Sequence, residues 1–313
     1  MIVPMLNEDY ASGLLDTGQG ESDGLQRWQD AGSWFRYGEH AIFSRLGGQG
    51  EVLLLLHGFP SASWAWHRVW PALSEHYRLM ATDMLGFGFS DKPRQHDYSI
   101  IDQADLQQGW LEEMGASRVH ILAHDYGATV AQELLARDQE GSLGFAIESV
   151  AFLNSALFPE VHRPILIQKL LLGPVGGLVS RALTKRVFET NFRKIFGPDT
   201  QPTRSDIEDF WQLLVYNNGR GIIHQLIHYM EERRIHRHRW VGALQAMRQP
   251  ALLIWGGADP ISGEAMVERY RELVGTANIA VLEGIGHYPH FEAPAETLQH
   301  YLRFRRGIKA LPD

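Results

Sequence analysis

Cysteine is absent from the chain, so there is no disulfide framework, thiolate nucleophile or zinc-thiolate centre, and the fold must rest on packing. An excess of positive charge is absent too: 29 Lys and Arg against 37 Asp and Glu leave a formal charge of -8, which gives no basic field for nucleic acid. The apolar run from Glu51 to Leu56 falls far short of the about 20 residues a membrane-spanning helix needs. The opening residues also lack the basic start and apolar stretch of a signal peptide, so a cytoplasmic location without a membrane span is expected. Low-complexity tracts and internal repeats are missing. What remains is 313 residues, 44% hydrophobic and 21% charged, enough for one large core with an insertion or for two ordinary domains, as a monomer or a homodimer.

The hydrophobic pattern decides between those layouts. Residues 1–25 mix Asn, Asp, Glu, Ser and Gly with scattered apolar residues and read as a loosely held arm. Trp34 to Tyr37 and Ala41 to Arg45, split by Gly38-Glu39-His40, suggest an opening antiparallel hairpin. Val52 to Leu56 is a continuous apolar run, as expected of a central strand buried on both faces. Strand-like and helical stretches then alternate from Tyr77 to Leu153 and again from Ala251 to Phe304, which predicts an α/β fold with a mostly parallel central sheet flanked by helices. Residues 157–247 differ: amphipathic helical stretches are broken at Gly173-Pro174, Gly197-Pro198 and Asn217-Asn218-Gly219, with no strand pattern. This reads as a helical cap inserted into one α/β core made of residues 26–156 and 248–313.

The chemistry concentrates at Val119-His120-Ile121-Leu122-Ala123-His124-Asp125-Tyr126-Gly127, a buried strand followed by small-x-Asp-x-small and then a helix. This has the form of a nucleophile elbow, in which a tight turn exposes the central side chain and the flanking small residues let the backbone pass close to its neighbours. Asp125 would sit at a helix N-terminus, where backbone N–H groups favour an anion. The bland alternative is an Asp that merely caps the helix. Against it stands His57-Gly58-Phe59-Pro60, which follows the central strand and would place the Phe59 N–H beside the elbow, forming an oxyanion hole with the Tyr126 N–H. Asp259, in Gly256-Gly257-Ala258-Asp259-Pro260, and His287, in Gly284-Ile285-Gly286-His287, follow later strands in the chain order nucleophile, acid, base. Each alone is an ordinary turn or loop residue, but together they predict a triad of Asp125, Asp259 and His287.

A carboxylate that attacks an ordinary ester forms a mixed anhydride, an uphill exchange. Attack at an sp³ carbon with a strained or good leaving group instead gives an alkyl ester that water hydrolyses, which points to epoxides or alkyl halides. An epoxide needs a proton donor from the cap, and Tyr229 is the candidate, with Tyr216 a weaker second that packing explains as well. A halide needs hydrogen-bond donors, for which Trp240 and Trp64 or Trp66 are available. His57, Trp64, Tyr216 and Trp240 are the expected pocket residues. Arg233, Arg234, Arg237 and Arg239 read as a solvated or salt-bridged cap face rather than an anion site. Small apolar organic substrates and water are the expected partners, with no cofactor or metal.

Several segments carry a family likeness: His57-Gly58-Phe59-Pro60, Leu85-Gly86-Phe87-Gly88-Phe89-Ser90-Asp91-Lys92-Pro93, His124-Asp125-Tyr126-Gly127, Val130 to Leu135, His162-Arg163-Pro164, Arg239 to Leu244, Asp259-Pro260 and His287-Tyr288-Pro289. They resemble the epoxide hydrolase and haloalkane dehalogenase branch of the α/β-hydrolases, and within it are similar to the mesoderm-specific transcript family and its bacterial relatives. The resemblance covers nearly everything after Gln26 and implies the α/β-hydrolase fold, an inserted cap, and the nucleophile, acid and base roles of Asp125, Asp259 and His287. Tyr126 stands where dehalogenases usually carry Trp, which favours an epoxide hydrolase forming a vicinal diol over the alternative of a haloalkane dehalogenase. A catalytically idle hydrolase scaffold that binds a ligand is the non-enzyme alternative.

Overall fold

A computed structural model describes residues 2–5 and 23–309. Nine strands form one sheet: β1 (Ile2–Met5), β2 (Ser33–Tyr37), β3 (His40–Gly47), β4 (Glu51–Leu56), β5 (Tyr77–Thr82), β6 (Arg118–His124), β7 (Ala146–Leu153), β8 (Ala251–Gly256) and β9 (Ile279–Leu282). Their spatial order is β1-β2-β3-β5-β4-β6-β7-β8-β9. The first three strands and the β3–β5 pair are antiparallel, and every pairing from β5 through β4 to β9 is parallel.

The parallel strands read as apolar runs because both of their faces are covered. Alternation along β4 splits its side chains: Val52, Leu54 and Leu56 join one core with Ala104, Leu111, Val130 and Leu134 from helices Ile100–Glu113 and Tyr126–Glu140. Leu53 and Leu55 join a second core on the opposite face with Trp28, Trp70, Tyr301 and Phe304. The chain leaves β4 for β5 on one side and returns to pair β6 on the other, so the crevice at the strand ends between β4 and β6 is the switch point where α/β sheets place ligands.

The hairpin, the central position of Val52 to Leu56 and the alternating βα pattern stand as the sequence suggests. Residues 1–25 do not read correctly as an arm throughout: Ile2–Met5 is an edge strand paired in register from Ile2↔Tyr37 to Met5↔Trp34, and helix Asp23–Asp30 begins before residue 26, with Leu25 buried. Four residues are too few to show a period, and pairing with β2 supplies what local pattern cannot. The rest of that expected arm, residues 6–22, lies outside the described residues. Between β7 and β8 every described element is helical: Leu166–Leu172, Gly176–Ala182, Lys185–Arg193, Arg204–Val215, a 3-10 turn at Tyr216–Gly221, Ile223–Leu226, Tyr229–Ile235 and Arg237–Gln245. The anticipated breaks fall where the backbone turns, with Gly173 ending the first helix and Asn217 and Asn218 at φ 51° and 61°. Among the described residues no helix is long and apolar enough to cross a membrane.

Two glycines test this packing with opposite signs. A Cβ on Gly127 would lie 2.5 Å from the Leu56 carbonyl oxygen, whereas one on Gly242, inside helix Arg237–Gln245, meets nothing within 4 Å. Gly127→Ala should therefore lose roughly 1–3 kcal/mol in urea unfolding. Gly242→Ala should gain roughly 0.5–1 kcal/mol in the same assay. Equal midpoints for the two variants would refute the close approach of β4 to the elbow.

Candidate active site

Asp125 sits between β6 and helix Tyr126–Glu140 with φ 43° and ψ -106°, a conformation that costs a non-glycine residue on the order of 1–3 kcal/mol. Backbone bonds on three sides hold the turn: Asp125 N–H donates to the Asn154 carbonyl at 3.1 Å, Gly127 N–H to that of His57 at 2.9 Å, and Ala128 N–H to that of Asp125 at 3.1 Å. Gly58 must lack a side chain as well, since its Cβ would stand 2.6 Å from His124 Nδ1 and 2.9 Å from Asp125 Cβ. The Phe59 N–H donates to Asp125 Oδ2 at 3.0 Å. Tyr126 is the first residue of its helix, where the N–H has no partner within the helix.

Asp259 and His287 lie side by side. His287 Nδ1 lies 2.7 Å from Asp259 Oδ2, and that oxygen also accepts from Asn154 Nδ2 at 2.9 Å and from the Ser262 hydroxyl, while Oδ1 accepts the Ile261 N–H at 2.8 Å. Burial pushes the Asp259 carboxyl up, but His287 and these donors outweigh it and hold it at about 2. An ionised Asp259 only accepts, so His287 carries its proton on Nδ1 and leaves the Nε2 lone pair free to act as a base. Burial lowers the His287 imidazole, yet the Asp259 charge and hydrogen bond, with Asp125 behind them, bring it above its ordinary value. For Asp125 itself burial again raises the pKa, and Arg233, His287, His124 and the Phe59 N–H together pull it below the usual carboxylate value.

Asp125 and His287 face one cavity of about 80 Å³. Its wall is mostly apolar, with Ile165, Leu171, Phe188, Phe192 and Leu214 from the helices between β7 and β8, and Phe59, Pro60 and Ile261 from the sheet loops. Gln168 and Asn191 are the only other polar side chains in that wall.

The expected pocket residues stand elsewhere. His57 is fully buried, with Nδ1 donating to the Gly58 carbonyl at 3.0 Å and Nε2 accepting the Met84 N–H at 3.1 Å; burial lowers it to about 4, so it is a neutral structural imidazole. Trp64 stacks on His67 at 3.9 Å, Tyr216 packs against Phe89 at 5.3 Å, and Trp240 donates its N–H to Glu133 at 2.8 Å. Trp66 packs on His290 at 4.2 Å, also away from the cavity wall. Tyr229 stands nearer the chemistry, its buried ring 4.9 Å from Tyr126 and 5.8 Å from Phe59, but it too is not part of the wall.

Arg233 corrects the reading of the arginine cluster. Arg237 pairs with Glu160 and Arg239 with Glu133 and Glu140 toward the surface, while the Arg233 side chain is only 2% exposed and reaches Asp125. Asn154 is the other residue that sequence reasoning passed over. A lone Asn directly after β7 gave a positional signal, since strand C-termini carry the functional loops of such sheets.

Residues 51–294 match the α/β hydrolase fold family. The chain belongs to that family. It is 39% identical over 297 residues to the mesoderm-specific transcript protein of Mus musculus, covering 90% of this chain and 88% of that protein. It is 37% identical over 274 residues to the putative hydrolase LipZ of Mycobacterium tuberculosis, covering 87% and 95%. Two solved structures share the fold: haloalkane dehalogenase DbeA from Bradyrhizobium elkani (TM-score 0.74, 19% identity, 88% of this chain and 98% of that one) and epoxide hydrolase CorEH (TM-score 0.71, 18% identity, 88% and 99%).

The electrostatics of the pair are open to direct measurement. His287 should titrate above its ordinary value by nitrogen-15 NMR, and lower in Asp259→Asn, where the main interaction that raises it is removed. An unchanged titration in the variant would dissociate the two side chains.

Proposed function

We propose that this α/β-hydrolase uses Asp125 as a nucleophile at an sp³ carbon, forming an alkyl ester that water then hydrolyses, and that it is an epoxide hydrolase. The observation that carries this reading is the Phe59 N–H on Asp125 Oδ2 at 3.0 Å. In acyl transfer the oxyanion belongs to the substrate, and the donors wait for it. In an alkyl-enzyme the carbonyl to be hydrolysed is the nucleophile's own, so an N–H already seated on the carboxylate oxygen is in place for the second step.

In the first step one Asp125 oxygen bonds to the substrate carbon while the carbon–oxygen bond of the ring breaks and its electron pair leaves with the epoxide oxygen. The small apolar cavity suits an apolar alkyl group, and excluding water from it strengthens the electrostatics of attack. His287 Nε2 then takes a proton from water, whose oxygen adds to Cγ of Asp125; the tetrahedral oxyanion rests on the Phe59 and Tyr126 N–H groups. Collapse breaks the Cγ–O bond to the alkyl group, His287 returns the proton to the departing alkoxide, and the diol leaves carrying an Asp125 oxygen. Tyr229 is the proposed donor to the opening ring from just behind the cavity wall; burial raises its hydroxyl pKa, so it is protonated before the ring opens, and it regains its proton from the acid form of Asp125 that the collapse leaves. The helices between β7 and β8 act as the cap.

One observation favours the second reading, a haloalkane dehalogenase. Gln168 lines the cavity with its Oε1 committed to the Ile165 N–H at 2.9 Å, which leaves its NH₂ group as a wall donor. An amide N–H holds a departing halide but does not give a proton to an alkoxide.

Intact-mass spectrometry of His287→Gln separates these readings. With the base removed, incubation with styrene oxide or 1,2-epoxyhexane should trap an adduct equal to the full epoxide mass on Asp125. An adduct from 1-bromohexane alone would select the dehalogenase, and none from any probe, in a folded variant, would overturn nucleophilic attack by Asp125.

A further inference from the structure

We propose that Arg233 is a positioning residue for Asp125, holding the carbonyl of the elbow and the carboxylate side chain from the helical segment that covers the sheet. The inference rests on the alkyl-enzyme reading. Arg233 belongs to helix Tyr229–Ile235, and its guanidinium is fixed at three points. Nε donates to Thr129 Oγ1 at 2.7 Å, Nη2 donates to the Asp125 backbone oxygen at 3.0 Å and stands 3.5 Å from Asp125 Oδ1, and the Tyr229 ring lies under it at 4.5 Å. Nη1 is buried without a partner, so the fork keeps a free donor. The neighbouring Glu232 carboxylate accepts the Ile100 N–H at 2.9 Å, pinning the same short helix to the core.

The geometry assigns two tasks to this one cation. The bond to the Asp125 carbonyl holds the residue whose φ of 43° is strained, so the attacking side chain does not relax out of line. Its charge also favours a free carboxylate over a protonated one where burial disfavours the charge. Oδ2 already carries the Phe59 N–H, while Oδ1 faces Arg233, so both oxygens are held from opposite sides. The other titratable groups around Asp125 are His57, His124, His162, His287, Tyr229 and Tyr288; burial lowers the first three and raises the two tyrosines, so His287 is the one further group placed to hold a positive charge.

The test isolates the first step by using the His287→Gln background, in which the Asp125 ester accumulates from styrene oxide, 1,2-epoxyhexane or 1-bromohexane. Ester formation is followed by intact mass across pH, with Arg233→Met and Arg233→Lys added in turn and folding checked by circular dichroism. With Arg233 present the rate should stay level from about pH 7 to about pH 5; in Arg233→Met it should fall about tenfold over that range, because the buried carboxyl picks up a proton. Arg233→Lys should restore the level profile while forming ester about tenfold more slowly at every pH, since a lone ammonium keeps the charge but not the fork. A profile for Arg233→Met that matches the parent overturns the proposal. Should that variant not fold, a Lys variant as fast as the parent overturns it instead. Absence of ester in the His287→Gln parent with every probe is a different result, and it rejects the alkyl-enzyme reading itself.

Discussion

The structure depends on keeping one carboxylate ionised out of contact with water. Asp125 is 5% exposed, and burial by itself would favour its protonated form. Its compensation comes from four directions in the chain: the Phe59 N–H after β4, the N-terminus of helix Tyr126–Glu140, Arg233 from the segment between β7 and β8, and His287 from the loop after β9. No local stretch supplies more than part of this environment, so the ionisation of Asp125 is a property of the whole fold.

The same logic continues outward from His287. Its backbone N–H donates to the Ile195 carbonyl at 2.7 Å, and Glu292 gathers the N–H groups of Gly197, Gly286 and Tyr288 at 2.8 to 2.9 Å together with the Thr200 hydroxyl at 2.6 Å. One carboxylate thus ties the His287 loop to the segment between β7 and β8. A second tie is made by Glu133, which accepts from Arg137, Arg239 and the Trp240 indole. The covering helices are therefore tied both to the loop that carries His287 and to the helix that follows Asp125, beyond their part in walling the cavity.

These ties also explain what was legible in the sequence. Parallel strands announce themselves as unbroken apolar runs, and the elbow, the Asp259 turn and the His287 loop are each written in four or five consecutive residues. Arg233 is 108 residues from Asp125, and in sequence it is one of four similar arginines on short helices. Which of them turns inward is set by tertiary packing, and the same is true of the aromatic residues expected in the pocket. Trp240 reads as a cap donor until helix Arg237–Gln245 is found lying against helix Tyr126–Glu140, where Glu133 takes its indole N–H. The cavity wall went unread because Ile165, Leu171, Leu183 and Leu214 are indistinguishable by type from ordinary core residues.

Arg233 and Asp125 answer each other's problem. A buried guanidinium with no anion carries a penalty of several kcal/mol, and so does a buried carboxylate with no cation; removing one partner of such a pair typically costs about 3–5 kcal/mol. Each charge is tolerable where it stands because the other is there, and the two come from segments on opposite sides of β7 in the chain. A core without its covering helices would keep the Phe59 N–H but would lose both the Arg233 bond to the elbow carbonyl and the charge that helps to offset burial. The covering segment therefore contributes to the ionisation of Asp125 as well as to the shape of the cavity.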